Sequence, residues 1–509
     1  MRTVSKTVIG VDFGTQSARA VLVNAENGEI IYSCRKEYPY NSTPVPAIDC
    51  AENLPCATDY EMTLYELLRN VIPEEYRKTV AGICVDATSL TMVLLAEDGR
   101  ALSELDGWSE AAHARVKLWK YHRAQEKADE ALNLARNLQE PFLGRTGGSI
   151  SCEWMLPKLL EVRDEAPEIY SKIDLAMDLC EFLTFRLTGQ LVRSIGSLSY
   201  KCLWAEELGE CAGVLRSELT KRWGLPEQIP VATGMLDGHT SLATMGAFEP
   251  GDAALIVGTS NVCTVQDRKL QELKDVCGVA QDGMVTGSCG IDTGQSSTGN
   301  MLGWFVEHMA GWQIHREAEE RKISPHQVLA ERIQKPWENK VIAVDWWSGS
   351  RNAPCDLTLR GSMSGLEMDT KTEDIYLALL QAIACGTGTI LESLSGQGVE
   401  IGRVLATGGI TEKNPLLMQE YANLLRRDVL VAKTAEGPAL GAAMFAAMAA
   451  GIYTNIQETY DHMGIHDFTV YKPDEIHRAA YEELYRKNKH LRNMLRGVSA
   501  EGLNLEVNS

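Results

Sequence analysis

The sequence predicts an α/β protein built from two related lobes. Three observations predict it: a strand-led phosphate turn that occurs twice, a length beyond what one core serves, and strands alternating with helical segments in both halves. The first turn is Val8-Ile9-Gly10-Val11-Asp12-Phe13-Gly14-Thr15-Gln16-Ser17, and the second is Ala253-Ala254-Leu255-Ile256-Val257-Gly258-Thr259-Ser260. In each, an apolar strand runs into a Gly-Thr turn that exposes backbone N–H groups and hydroxyls at one spot, as a polyphosphate requires. At 509 residues the chain exceeds the roughly 250–300 residues that a single core usually serves. Two domains are therefore expected, 1–247 and 252–509, divided at Glu249-Pro250-Gly251, with a C-terminal helix and tail over 473–509.

Taken in order, residues 7–11, 18–24 and 30–38 read as a three-stranded meander, turning at Gly14 and at the Asn27-Gly28 hairpin signal. A helix fits 59–71, where Tyr60, Leu64, Leu67 and Leu68 share one face. A buried strand over 80–85 ends at Asp86-Ala87-Thr88-Ser89, and 92–96 resumes the sheet. Polar helices are expected over 111–137 and 153–163, and a small-residue helix opens at Gly234–Gly238 and ends near Gly246. The second half offers a strand–turn–strand at 253–265, a long helix over 373–394 and a strand over 403–407 that ends in Gly408-Gly409. A helix over 415–425, a strand over 429–432 and an Ala-rich helix over 439–450 are read as closing the second lobe, followed by a charged amphipathic helix over 473–493. The recurring order suggests internal duplication.

Composition narrows the function classes. The chain is 45% hydrophobic, and no apolar run approaches the ~20 residues that span a bilayer. A net charge of −20 disfavours nucleic acid and anionic membranes as partners. A small anionic cofactor stays open, because local N–H groups and a metal outweigh net charge. The 13 cysteines show no Cys-x-x-Cys spacing, so neither zinc nor a disulfide framework is indicated. Reduced thiols in a cytoplasmic protein are expected. The segment before residue 7 has no signal-peptide pattern, and the Asn41-Ser42-Thr43 sequon therefore carries no weight. The C-terminal helix and the ten tryptophans suit a homodimer interface and suit core packing equally.

The candidate chemistry begins at Asp12. A carboxylate at a strand tip beside a Gly-Thr turn can hold Mg²⁺ next to a phosphate. Alone it reads as an Asx turn or a cap; the second turn at Gly258-Thr259-Ser260 tips the reading toward the metal. Asp237 precedes a small-residue helix whose positive end favours its ionised form. Phosphoryl transfer to a hydroxyl needs one positioned carboxylate to take the proton, although Asp is also a preferred N-cap. Ala406-Thr407-Gly408-Gly409-Ile410 would allow backbone contact with a flat base or ribose. Gly437-Pro438-Ala439-Leu440-Gly441-Ala442-Ala443 is a second close-approach segment, which tight helix packing explains as well. Neither a Walker Gly-x-x-x-x-Gly-Lys nor a Gly-x-Gly-x-x-Gly occurs, which argues against P-loop and Rossmann readings.

These residues resemble the FGGY carbohydrate kinases of the actin/Hsp70/hexokinase-like ATPase superfamily, and most of all the ribulokinase branch. The resemblance spans nearly the whole chain, through Gly10-Val11-Asp12-Phe13-Gly14-Thr15, Leu118-Trp119-Lys120-Tyr121-His122 and Gly147-Gly148-Ser149-Ile150-Ser151-Cys152-Glu153-Trp154. It continues through Tyr200-Lys201-Cys202-Leu203-Trp204, Asp237-Gly238-His239, Val257-Gly258-Thr259-Ser260 and Gly294-Gln295-Ser296. Val344-Asp345-Trp346-Trp347-Ser348-Gly349-Ser350-Arg351 and Ala406-Thr407-Gly408-Gly409-Ile410 complete it. It implies an ATP-dependent kinase with two ribonuclease H-like lobes around a central cleft. By the same match Asp237 would be the catalytic base, and Asp12, with Gly14, Thr15, Gln16 and Ser17, would serve Mg-ATP. Gly258, Thr259, Ser260, Gly408, Gly409 and Asn414 would hold the nucleotide, and Val93, Lys201 and Asp292 would join Asp237 at the sugar.

The chain also departs from the ribulokinase pattern. Asp292 stands where a Glu is usual, which retracts the carboxylate by about 1.5 Å, one bond length. Leu90, Met92 and Val93 replace small residues, and Tyr121 replaces Asp or His; bulk there would reshape the sugar pocket. The expected activity is phosphorylation of a terminal hydroxyl of a ketopentose, L-ribulose first. The alternatives are another ketose or polyol such as xylulose, D-ribulose or a tetrulose, and a nucleotide-gated binding protein of the same superfamily.

Overall fold

A computed structural model of the chain describes residues 6–38, 54–201, 211–434 and 436–496. The 41–43 sequon, Cys202-Leu203-Trp204, the side chain of Lys201 and the tail from residue 497 lie outside the described residues. The chain forms two compact units. The first comprises Met1–Phe248, Gly278–Cys289 and Glu436–Ile465; the second comprises Glu249–Cys277, Gly290–Ala435 and His466–Ser509.

The first unit is built on β1 (Thr7–Phe13), β2 (Ser17–Asn24), β3 (Ile30–Glu37), β4 (Val80–Ala87), β7 (Cys211–Val214), β8 (Pro230–Ala232) and β9 (Met235–Leu236). Its strand order is β3-β2-β1-β4-β8-β7, with β9 also beside β4. A second small sheet pairs β5 (Met92–Leu95) with β6 (Leu175–Asp178). β1 pairs antiparallel with β2 and parallel with β4, and the register sets Asp12 opposite Arg19 on one side and Asp86 on the other.

The strand period of two then sorts side chains between faces. Ile9, Val11 and Phe13 join a core with Tyr60, Leu64 and Leu68 of the helix Ala57–Val71 and with Phe182 and Leu183 of the helix Leu179–Thr188. Val8, Val21 and Cys84 join Ala439, Ala443 and Ala446 on the other face. β12 (Gly278–Gln281) belongs to this unit because Gly278 packs against Tyr200, where a Cβ would lie 2.8 Å from the Tyr200 carbonyl.

Two expectations are corrected here. The Ala-rich helix, Gly437–Ala449, closes the first unit and not the second. The reason is steric: Gly10 and Gly82 present bare backbone to it, and a Cβ would lie 1.8 Å from the Ala439 carbonyl at Gly10 and 2.4 Å from that of Ala446 at Gly82. Gly441 likewise leaves room for the Thr240 carbonyl, so the segment's glycine serves helix packing. The helix expected over 111–137 begins only at Gln125. Before it, Lys117 exchanges both backbone hydrogen bonds with Met92 (2.9 and 3.1 Å), extending the small sheet.

The second unit's strands follow the order β13 (Cys289–Gln295), β11 (Asn261–Asp267), β10 (Ala253–Val257), β16 (Val404–Thr407), β17 (Val429–Ala432), β18 (Phe468–Tyr471). A hairpin of β14 (Ile342–Val344) and β15 (Ser362–Ser364) stands apart. The helix Thr372–Gly396 corrects the expectation about apolar runs, since its 25 residues are long and apolar enough to cross a membrane. Its most apolar window is 78% buried within the protein, as befits a core helix. The C-terminal helix, Arg478–Leu495, buries Tyr481, Leu484, Asn488 and Arg492 in this unit.

Beside those helices Glu420 is fully buried and accepts hydrogen bonds from Gln381 (2.9 Å), Tyr481 (3.0 Å) and Asn423 (3.4 Å). Burial pushes its carboxyl up to about 7 from 4.5, against the pull of those donors. A raised folded-state value means stability present below the unfolded value and lost as pH rises through about 7. Glu420→Gln is expected to flatten the fall in melting temperature between those limits. An unchanged slope in the variant would assign that fall to other groups.

Candidate active site

The first unit gathers carboxylates at the C-terminal ends of its parallel strands. Asp12 is the penultimate residue of β1 and Asp86 lies beside it in β4, 5% and 0% exposed respectively. Arg19 Nε lies 3.3 Å from Asp12, and its Nη1 donates to Glu436 at 3.1 Å, just ahead of the helix Gly437–Ala449. Burial holds the Asp12 carboxyl above its ordinary range while Arg19 pulls it down. Burial drives Asp86 well above that range, and the charges of Asp12 and Asp237 add to the effect. Asp86 Oδ2 accepts from the Thr240 hydroxyl at 2.8 Å, and the Asp86 and Asp12 carboxyls share a side-chain hydrogen bond.

Asp237 is the first residue of the helix Asp237–Thr244 and follows β9 directly. The register pairs Ala87 with Leu236, which brings the end of β4 beside Asp237. Its Oδ1 accepts from the Gly238 N–H at 2.7 Å, and its carbonyl accepts from Thr240 and Ser241 (3.0 and 2.9 Å). The half-buried carboxylate thus sits at a pinned, positive helix end, which favours its charged form. His239 is buried and packs edge-on against Tyr200, ring centroids 4.9 Å apart, as an orienting residue would.

The phosphate turn of this unit is closed by Gly14 N–H to the Ser17 carbonyl (3.1 Å), while Tyr38 donates to the Gly14 carbonyl (2.9 Å). Thr15 Oγ1 accepts from Trp119 Nε1 at 3.1 Å, and Gln16 is exposed. Ser17 is buried in β2, and its hydroxyl accepts from Arg35 Nε (2.9 Å). The second unit repeats the device: Gly258 donates to the Ser260 carbonyl (2.9 Å), with Thr259 exposed. Thr298 Oγ1 donates to the Gly258 carbonyl (2.9 Å), and Gly299 N–H donates to the same oxygen (3.1 Å).

In the same unit Gly408 has φ +114°, and a Cβ would lie 2.5 Å from the Val257 carbonyl, so only glycine fits beside the strand. Gly409 faces open space. Asn414 caps the helix Pro415–Leu425, accepting from Leu417 N–H (3.1 Å) and donating to Tyr376 (3.0 Å). Its side chain is engaged structurally at both ends. Asp292 is buried in β13, and Gly294 in that strand donates to Asn352 Oδ1 at 2.7 Å.

The residues expected to add bulk at the sugar face inward. Leu90, Met92 and Val93 are 3%, 0% and 1% exposed, and Val93 lies in the first unit's core. Tyr121 is buried, and its hydroxyl donates to Glu161 at 2.7 Å. Lys201 ends the helix Ile195–Lys201. Asp86, Arg19 and Glu436 were not singled out by sequence reasoning. For Asp86 a signal exists: Val85-Asp86-Ala87-Thr88 repeats the strand-then-Asp pattern of Val11-Asp12-Phe13. Among the described residues no three His, Cys, Asp or Glu side chains form a metal cage.

Two sheet-containing units, each with a strand-led Gly-Thr turn, form the actin/hexokinase-like ATPase class of fold. The solved xylulose kinase from Lactobacillus acidophilus has the same fold, with TM-score 0.79 at 19% identity, covering 97% of this chain and 99% of that one. The xylulose kinase from Rhodospirillum rubrum gives 0.78 at 21% identity, covering 97% and 99%. The N-terminal domain of the FGGY family of carbohydrate kinases matches residues 7–204, and its C-terminal domain matches residues 253–450. The chain belongs to the FGGY family of carbohydrate kinases. It is therefore an ATP-dependent enzyme that phosphorylates a sugar hydroxyl, and the binding-protein alternative falls. Among curated relatives, the ribulokinase of Halalkalibacterium halodurans is 34% identical over 95% of this chain and 94% of its own length. That of Mycolicibacterium smegmatis is 34% identical over 94% and 92%.

Proposed function

We propose that this enzyme is a ribulokinase, transferring the γ-phosphate of ATP to the terminal hydroxyl of a ribulose, L-ribulose by preference. The observation that carries the reading is similarity to ribulokinases across almost the whole chain. The solved xylulose kinases share the fold at far lower identity. Asp237 accepts the acceptor's proton, its charge favoured by the helix end and its position fixed by Gly238. The Gly-Thr turns offer backbone N–H groups for charge on phosphate oxygens, at Thr15 in the first and at Thr259 and Ser260 in the second, where Gly258 N–H instead closes the turn. Gly408 and Gly409 leave room for the nucleoside.

Mg²⁺ fits the first unit's residues, because the Asp12 and Asp86 carboxyls lie side by side near the strand ends, an oxygen donor set suited to a hard cation. Asp12, with Asp86 behind it, would hold the cation, which when bound neutralises phosphate charge. Cytoplasmic placement belongs to the same reading, supported by the free thiols of every described cysteine. A homodimer is carried with it, to be weighed by sedimentation.

The test is ADP release by the purified protein with Mg-ATP against ribuloses, xyluloses, a tetrulose, aldoses and polyols. L-Ribulose is expected to stimulate release most strongly. Greater stimulation by another sugar would keep the kinase and overturn its assigned acceptor.

A further inference from the structure

Beyond the carboxylates, the first unit contains a buried clamp whose purpose the reaction described so far does not explain. Lys158, in the helix Met155–Glu165, is fully buried and donates to two backbone carbonyls in separate loops, Leu90 O at 2.7 Å and Leu118 O at 2.9 Å. Asp178 Oδ2 accepts from the Leu90 N–H at 2.7 Å, so Leu90 is gripped on both sides of its peptide chain. Leu90 needs the grip, because its φ of +61° is a left-handed conformation that a bulky residue rarely adopts.

Both loops lead to the reacting groups. The Leu90 turn follows β4, where Thr88 N–H donates to the Phe13 carbonyl (3.0 Å) and the register brings the strand end beside Asp237. The Leu118 loop continues into Trp119, whose indole donates to Thr15 of the phosphate turn. Burying a lysine this deeply is costly unless its charge is met by acceptors, and it would be an expensive way merely to fill a core. Its ammonium is pushed down to about 8 by burial, while Glu153 and Asp178 pull it upward.

We propose that Lys158 and Asp178 are positioning residues that lock the two acceptor-side loops at 88–91 and 117–121 in fixed register, and thereby set which sugar Asp237 can deprotonate. Leu90 packs its side chain inward, so the turn contributes to the acceptor side through the course of its backbone, held where the clamp puts it. The proposal rests on the reading of Asp237 as base, and the two fail differently: near-normal turnover in Asp237→Asn would remove the base without touching the clamp.

The experiment compares the full-length enzyme with Lys158→Met, which keeps the length and loses the donors. KM for L-ribulose is expected to rise between about tenfold and 10²-fold, the scale of a misplaced substrate. Discrimination between L-ribulose and xylulose in kcat/KM should shrink, while KM for ATP, which the clamp reaches only through Trp119 and Thr15, should move by less than the acceptor KM. Amide exchange should quicken at Leu90 and Met92 and stay slow in β1 and β4, which a general loss of stability would not produce. Asp178→Asn, which retains an acceptor for Leu90 but not the charge, should move the same readouts in the same direction by less, and it serves if Lys158→Met does not fold. Unchanged acceptor KM, discrimination and loop exchange in a folded variant would overturn the proposal.

Discussion

Asp237→Asn is expected to lower kcat by about 10²–10⁴-fold, the range a positioned general base supplies. The variant keeps the side-chain oxygen that accepts from Gly238, so the start of the helix Asp237–Thr244 and its Thr240 and Ser241 hydroxyl bonds stay in place. What it loses is the capacity to hold the acceptor's proton. Nucleotide binding depends on other residues, so the thermal shift produced by ADP should match wild type. Steady-state kinetics with saturating sugar and ATP, read beside that thermal shift, separates the two effects. A variant that turns over near the wild-type rate would remove Asp237 from proton transfer and send the search for a base elsewhere.

Arg492→Leu is expected to destabilise the second unit by about 3–5 kcal/mol, the usual cost of leaving one member of a buried ion pair unmatched. Arg492 is 4% exposed, pairs with Asp345, donates from Nε to Asn488 Oδ1 at 2.7 Å and lies 5.3 Å from the Trp346 ring centre. Asp345 in turn accepts from Gln295 (2.7 Å), whose own oxygen accepts from Asn261 (2.9 Å) and Thr387 (2.6 Å). Asn261 directly follows Ser260, so the network runs from the C-terminal helix to the nucleotide turn. Urea unfolding should show the loss. The double variant with Asp345→Leu should be less destabilised than the sum of the two singles, because no buried charge then stands alone. A loss as small as a surface substitution gives, within about 0.5 kcal/mol, would mean that the pair is open to water in solution.

Much of this was legible in the chain because the relevant signals are local. β1 reads from its apolar run and its terminal Gly-Thr turn, and the helix Ala57–Val71 reads from its apolar spacing. The phosphate turns and Asp237 followed from residue type beside a strand end. The sequence hid whatever depends on a distant partner. The helix Gly437–Ala449 is apolar on nearly every side, so nothing in it indicates which sheet it covers; only Gly10 and Gly82, hundreds of residues away, decide that. Lys158 sits in Leu156-Pro157-Lys158-Leu159 like any surface lysine until the loops it ties are in view. For Ser17 and Asn414 the sequence shows residue types that suit phosphate or base but not the partners, Arg35 and the Leu417 N–H, that hold their side chains in place.

The return of Gly437–Ala449 to the first sheet bears on how the protein is made. A ribosome that has finished Phe248 has synthesised every strand of the β3-β2-β1-β4-β8-β7 sheet but not the helix that covers Val8, Val21 and Cys84. At about 5–20 residues per second, that face waits roughly ten to forty seconds for its cover while the intervening chain is synthesised. The nascent chain therefore carries an open apolar sheet face through the synthesis of almost the whole second unit, and that interval is when a chaperone has something to hold.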